Sequence, residues 1–93
     1  MKVVLSGALL RFADHTKEVT VEARTLTEGI ERLTTQFPRL KPVLLDGDGR
    51  VRLTHQLFLN GEQVARGEYT VGAAPLPVAE QDTLFVLTAV AGG

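Results

Sequence analysis

The chain contains no cysteine and no tryptophan, and only one methionine, one tyrosine and four phenylalanines. Without cysteine there is no disulfide, no thiolate metal site and no cysteine nucleophile, so any sulfur chemistry must use sulfur brought from outside. Charge of one sign is missing as well, because ten Lys plus Arg face eleven Asp plus Glu, a formal net charge of -1. No excess positive field exists to attract phosphate backbones, which argues against nucleic-acid binding as a main function. Long apolar runs are also absent. The opening M-K-V-V-L-S-G-A-L-L is too short to span a bilayer and has no small-residue cleavage site, so a cytoplasmic protein with no membrane partner is expected.

What is present suits one globular core. The 93 residues are 44% hydrophobic and 23% charged, the composition of an ordinary folded domain and not of a disordered tail. A single domain over residues 1–93 is expected, with 90–93 projecting as a flexible tail.

Val3, Leu5 and Leu9 fall on one parity and Val4, Ala8 and Leu10 on the other, the pattern of an interior strand, with Gly7 marking a bend. After the polar turn Asp14-His15-Thr16, residues 17–23 alternate, with Val19, Val21 and Ala23 inward, and the two strands read as a hairpin. Leu26, Ile30, Leu33 and Phe37 recur at helical spacing, Thr25 and Glu28 have the form of a capping box, and Pro38 stops the helix. Residues 39–52 read as a loop around Asp46-Gly47-Asp48-Gly49. A strand over 56–59, the hairpin turn Asn60-Gly61 and a short return over 62–66 follow. A long loop over 67–81 leads to a last strand over 83–90. One helix over one mixed sheet in this order predicts an α+β β-grasp fold of four to five strands.

The last strand is apolar on both parities: Leu84, Val86 and Val90 oppose Phe85, Leu87 and Ala89, as befits a central strand. Its second face needs a cover. Either Phe58, Leu59, Phe85 and Leu87 form a docking face for a partner, or the loop over 39–52 lies across them.

Directly after that strand the sequence reads Ala89-Val90-Ala91-Gly92-Gly93. At an average glycine usage of about 7%, a chance Gly-Gly ending has a probability of roughly 0.5%. Two glycines suit a tail that threads a narrow channel, because residues without Cβ allow close backbone approach. Fully extended, residues 90–93 reach about 13 Å at roughly 3.3–3.6 Å per residue. The group delivered would be the Gly93 carboxylate, a poor acyl electrophile until another enzyme activates it.

The element order, the N-G-E-x-V hairpin at Asn60 to Val64 and the ending A-V-A-G-G together resemble the ubiquitin-like sulfur carriers. This family includes the small subunit of molybdopterin synthase and the carriers of thiamine and cysteine biosynthesis. The resemblance implies a protein that is not itself an enzyme. A partner adenylyltransferase related to ubiquitin-activating enzymes would use ATP and Mg to adenylate Gly93, sulfur would replace AMP to give a thiocarboxylate, and an acceptor enzyme would consume that sulfur. Ala89, Val90, Ala91 and Gly92 would thread the partner active site, and no cofactor would be bound by this chain. The segment 43–54 before the third strand looks most like the cysteine-biosynthesis carrier. Thr88 stands where many members have proline, and Glu80-Gln81-Asp82-Thr83-Leu84 replaces a D-G-D-x-V turn. Two alternatives share the adenylation: a ubiquitin-like modifier joined through Gly93 to target lysines, and the non-catalytic small subunit of molybdopterin synthase.

Residues that suggest other chemistry lack the rest of its pattern. His15 and His55 have no second ligand at metal-site spacing and read as surface residues. Asp46 and Asp48 lack the closing Glu of a calcium loop and read as a plain turn, so no metal site is expected.

Overall fold

The computed structural model describes residues 1–52, 54–64 and 76–88. Five strands, β1 (Lys2–Leu5), β2 (Glu18–Thr20), β3 (His55–Leu59), β4 (Glu62–Gln63) and β5 (Thr83–Thr88), form one sheet in the order β2-β1-β5-β3-β4. β5 lies in the middle, parallel to β1 and antiparallel to β3, while β1–β2 and β3–β4 are antiparallel. With helix α1 (Leu26–Gln36) against one face, this is the expected β-grasp architecture.

The helix forms where its sequence signals lie. Thr25 is the N-cap, and its hydroxyl accepts from the Glu28 amide at 3.1 Å. The Glu28 carboxylate accepts from the Arg24 amide at 3.0 Å, one residue upstream of a strict capping box. Leu26, Ile30 and Leu33 are buried in one cluster with Val3, Leu5, Val19, Val21, Leu57, Leu84 and Val86. Each such side chain contributes about 1.5–3 kcal/mol by leaving water. Phe37 caps the helix and packs at the cluster edge, and Pro38 opens a short 3₁₀ turn to Leu40.

Two segments differ from their sequence reading. β1 stops at Leu5; Gly7 takes φ +60, and residues Gly7–Phe12 form a 3₁₀ helix where a continuing strand was expected. Leu9 is fully buried in that setting, so the apolar pattern is satisfied without a strand. The segment 39–52 is more ordered than a loop: it holds the short helix α2 (Lys41–Leu44), and a bridge joins Leu45 to Val51. Leu40, Leu44, Leu45 and Val51 belong to the core cluster. The knot between them is closed by Asp46, whose carboxylate accepts from the amides of Asp48 at 2.9 Å and Arg50 at 3.0 Å. Those two bonds hold its carboxyl below the usual carboxylate range.

At Asn60-Gly61 both residues take positive φ, 53° and 87°, the mirror-image turn that matches strand twist. β4 covers Glu62 and Gln63, the first part of the expected return strand; residues 65–75 lie outside the described residues.

Candidate functional site

The register of β5 sorts its side chains between two unlike faces. Leu84 and Val86 are 0% and 1% exposed and face α1 and the core. Phe85 and Leu87 are 39% and 40% exposed, the large hydrophobics that stand out on the surface among the described residues. Phe85 pairs with Val4 on β1 and with Phe58 on β3, and Leu87 pairs with Gln56, so directly opposed residues carry this face across three strands. Phe58 is half-buried and Val4 buried. The segment 39–52 does not cover the patch, because its apolar residues are committed to the core cluster.

Leu59 does not join this face. Neighbouring strand residues point to opposite sides, and Leu59 is paired with fully buried Leu84 and packs against the core. Of the four residues read as a docking face, the structure brings together Phe58, Phe85 and Leu87.

The two ends of β5 are held by different side chains. At its start, Asn60 donates through Nδ2 to Asp82 Oδ1 at 3.0 Å, and its Oδ1 accepts from the Thr83 amide at 3.0 Å. The other Asp82 oxygen accepts from the Ala79 amide at 2.7 Å. The Asn60 amide, and next the Ala79 amide, favour the ionised form and lower the Asp82 carboxyl below its ordinary value. At its far end, Thr88 is paired with His55. His55 is 2% exposed, which corrects the reading of it as a surface residue. Its Nε2 lies 2.9 Å from the Val43 carbonyl and its Nδ1 3.2 Å from the Thr88 hydroxyl. A carbonyl only accepts, so Nε2 carries a proton; in the neutral ring Nδ1 is then an acceptor and the Thr88 hydroxyl donates to it. His15, by contrast, is exposed in the turn before β2.

Ala89, Val90, Ala91, Gly92 and Gly93 lie outside the described residues. The structure therefore carries the candidate site up to its root at Thr88, the last described residue of the central strand.

Solved structures of the same shape align over almost the whole chain. CysO of Amycolatopsis orientalis, in its complex with BexX, matches with a TM-score of 0.80 at 26% identity, over 99% of this chain and 98% of its own. SAMP1 from Haloferax volcanii matches with a TM-score of 0.71 at 26% identity, over 99% of this chain and 97% of its own. CysO of Mycobacterium tuberculosis matches at 0.77 and 22% identity, over 96% and 98%, a likeness of fold alone. The chain has the fold of the ubiquitin-like sulfur carriers. No family model matches it, and no curated protein does.

The neighbours are small carrier and modifier proteins, not catalytic enzymes. No helix among the described residues is long and apolar enough to cross a membrane, and no group of three or more His, Asp or Glu among them is placed to hold a metal. The residue that sequence reading missed is His55. Its signal was parity: His55, Leu57 and Leu59 alternate onto one face of β3, and that face is the core.

Proposed function

We propose that the protein is a sulfur carrier whose Gly93 carboxylate is adenylated by a partner enzyme and converted to a thiocarboxylate. The observation that carries this reading is the position of A-V-A-G-G: it follows, without an intervening residue, the central strand of a β-grasp sheet like that of CysO and SAMP1. A tail rooted in a central strand has a fixed origin, so a partner can hold the body and the reacting carbon in one geometry.

Each step balances with no side-chain nucleophile on this chain, the Gly93 carboxylate being its one reacting group. A Gly93 carboxylate oxygen attacks the α-phosphorus of Mg-bound ATP on the partner, and pyrophosphate leaves. A hydrosulfide-equivalent sulfur then adds to the acyl carbon and AMP leaves, forming the thiocarboxylate. Absence of cysteine suits this role, because no thiol on the carrier competes for its own acyl group. An acceptor enzyme in the cytoplasm then takes the sulfur. Cysteine biosynthesis is the preferred destination, supported by the segment 43–54 and the likeness to CysO of A. orientalis.

The face of Phe58, Phe85 and Leu87 serves as the docking surface for the adenylating partner. Any active site that receives Gly93 must lie within a tail's length of Thr88, about 17 Å for five extended residues, and this is the apolar surface on that strand. The A. orientalis CysO structure, a complex with BexX, is in keeping with a carrier that works while engaged by a second protein.

A second reading has specific support: SAMP1 is a small archaeal modifier protein, so Gly93 joined to target lysines is the alternative. Mass analysis of the protein from its own cells, after digestion, separates the two. Replacement of one oxygen by sulfur on the fragment that ends in Gly93 supports the carrier, whereas that fragment joined by an isopeptide bond to lysines of other proteins supports the modifier. Stable co-purification with a larger pterin-binding subunit would instead identify the small subunit of molybdopterin synthase.

A further inference from the structure

We infer that the end of the sheet where β5 finishes is a basic docking surface, matched to an acidic surface patch on the adenylating partner. The inference rests on the proposed carrier role and names the chemistry by which that partner is met. Topology gathers the charge. β1 runs parallel to β5, so Leu5 and the 3₁₀ helix Gly7–Phe12 that follows it lie at the Thr88 end. β3 runs the other way and starts with His55 opposite Thr88, which brings the segment 39–52 to the same end. Arg11, Lys17, Arg39, Lys41, Arg50 and Arg52 therefore share it, six of the chain's ten Lys plus Arg, and all six are exposed. Lys17 is placed by its carbonyl, which accepts from the Leu5 amide at 2.8 Å, and Arg52 by its carbonyl, which accepts from the His55 amide at 3.0 Å.

Two of the six side chains are tied to the body of the domain. The Arg39 guanidinium lies 5.8 Å from the centre of the Phe12 ring, and Arg52 donates through Nε to the Pro42 carbonyl at 3.0 Å. The acids at this end, among the described residues, are Asp14, Asp46 and Asp48, with Glu18 one residue along β2 from Lys17. Asp46 turns its carboxylate to the amides of Asp48 and Arg50. At the other end the balance reverses, and Glu22, Glu62, Glu80 and Asp82 outnumber Lys2 and Arg24. The six residues of β5 hold the two ends about 17 Å apart at roughly 3.4 Å per residue, twice the Debye length of about 8 Å in physiological salt. A partner approaching the Thr88 end thus meets net positive charge, although the whole chain carries -1. Exposed charges add little to the strength of a finished complex; their effect is on the rate of encounter, which complementary fields raise by about 10- to 1000-fold. Protein and not nucleic acid is the occupant. Aspartates interrupt the basic patch, and Phe12, the ring beneath Arg39, is half-buried and not open for bases to stack on.

Arg11→Glu with Lys41→Glu reverses charge at this end, and Arg24→Glu with Arg32→Glu makes the same change of net charge elsewhere. Association with the adenylating enzyme of its own cells is followed by stopped-flow mixing at low and high salt. The wild-type association rate should fall as salt rises. The Arg11 and Lys41 double variant should associate at least about tenfold more slowly at low salt and lose most of the salt dependence, while the Arg24 and Arg32 double variant stays within about twofold of the wild type. Denaturant midpoints identify any variant that fails to fold, and Arg11→Gln with Lys41→Gln, expected to show a smaller loss in the same direction, then carries the test. An equal loss in both reversed pairs, or a wild-type rate in the Arg11 and Lys41 variants, overturns the inference. So does tighter binding of total RNA from the same cells than of the enzyme, if charge reversal at Arg11 and Lys41 abolishes it. A wild type that associates at a salt-independent rate sinks this inference alone, whereas one that the enzyme neither binds nor adenylates brings down the carrier reading with it.

Discussion

The two faces of β5 carry side chains of similar apolarity and meet opposite fates. Leu84 and Val86 vanish under α1, while Phe85 and Leu87, one residue away in each case, keep about two-fifths of their surface in water. An interior strand apolar on both parities ordinarily belongs to a sheet covered on both sides. Here one helix and the segment 39–52 cover one side, while on the other Val4 is buried and Phe58 half-buried but Phe85 and Leu87 stay exposed. The difference separates two kinds of apolar residue: the first holds the fold together, and the second is the surface assigned to a partner under the proposed function.

Stability is the largest lever on that contrast. Leu84→Ala should cost about 3–5 kcal/mol, transfer plus cavity, whereas Leu87→Ala on the outer face should cost less than about 1 kcal/mol. Denaturant midpoints for the pair measure both, and equal losses would mean that the outer face is covered in the protein. The converse experiment reads partner engagement. Phe85→Thr with Leu87→Thr keeps strand preference and folding, and should weaken productive engagement of the adenylating enzyme by about 2 kcal/mol or more, some thirtyfold in KM. An unchanged KM would place docking elsewhere.

The ends of β5 give smaller effects. Asn60→Ala loses two bonds to the start of the strand and an αL-tolerant residue, and should cost about 1–2 kcal/mol. Asn60→Gly should recover the backbone part and not the bonds. The smallest effect lies in acid. Because the folded Asp82 carboxyl titrates below its ordinary value of 3.8, its contribution is complete above that value and fades as pH falls through the lowered one. Asp82→Asn should therefore flatten the acid limb of the stability profile below about pH 4 and leave its shape at neutral pH alone.

Much of this layout was legible in the residues, for stated reasons. The stripe Leu26, Ile30, Leu33 has only one helical solution, and Asn60-Gly61 has the backbone freedom that its turn requires. The doubly apolar 83–88 announced a central strand, though not which face would stay bare, because parity sorts residues without saying what covers them. The segment 7–12 departs from its strand pattern because Leu9 can be buried by a 3₁₀ turn as well as by a strand. The polar neighbours of His55 point to the surface, but its alternation with Leu57 places it in the core. Leu59 is adjacent to Phe58 in sequence, which in a strand means opposite sides. The chemistry assigned to Gly93 rests on sequence and on likeness of fold.

That chemistry is tested most directly at the tail itself. The full chain and a Gly93-deleted chain are each incubated with the adenylating enzyme of its own cells, ATP and sulfide, and their C-terminal peptides are analysed by fragmentation mass spectrometry. Localisation is essential, because oxidation of the single methionine, Met1, gives the same nominal gain as exchange of oxygen for sulfur. The account predicts the gain on the fragment that ends in Gly93 and none on the deleted chain; a gain that persists after deletion, or a full-length tail left unchanged while the partner consumes ATP, would contradict it.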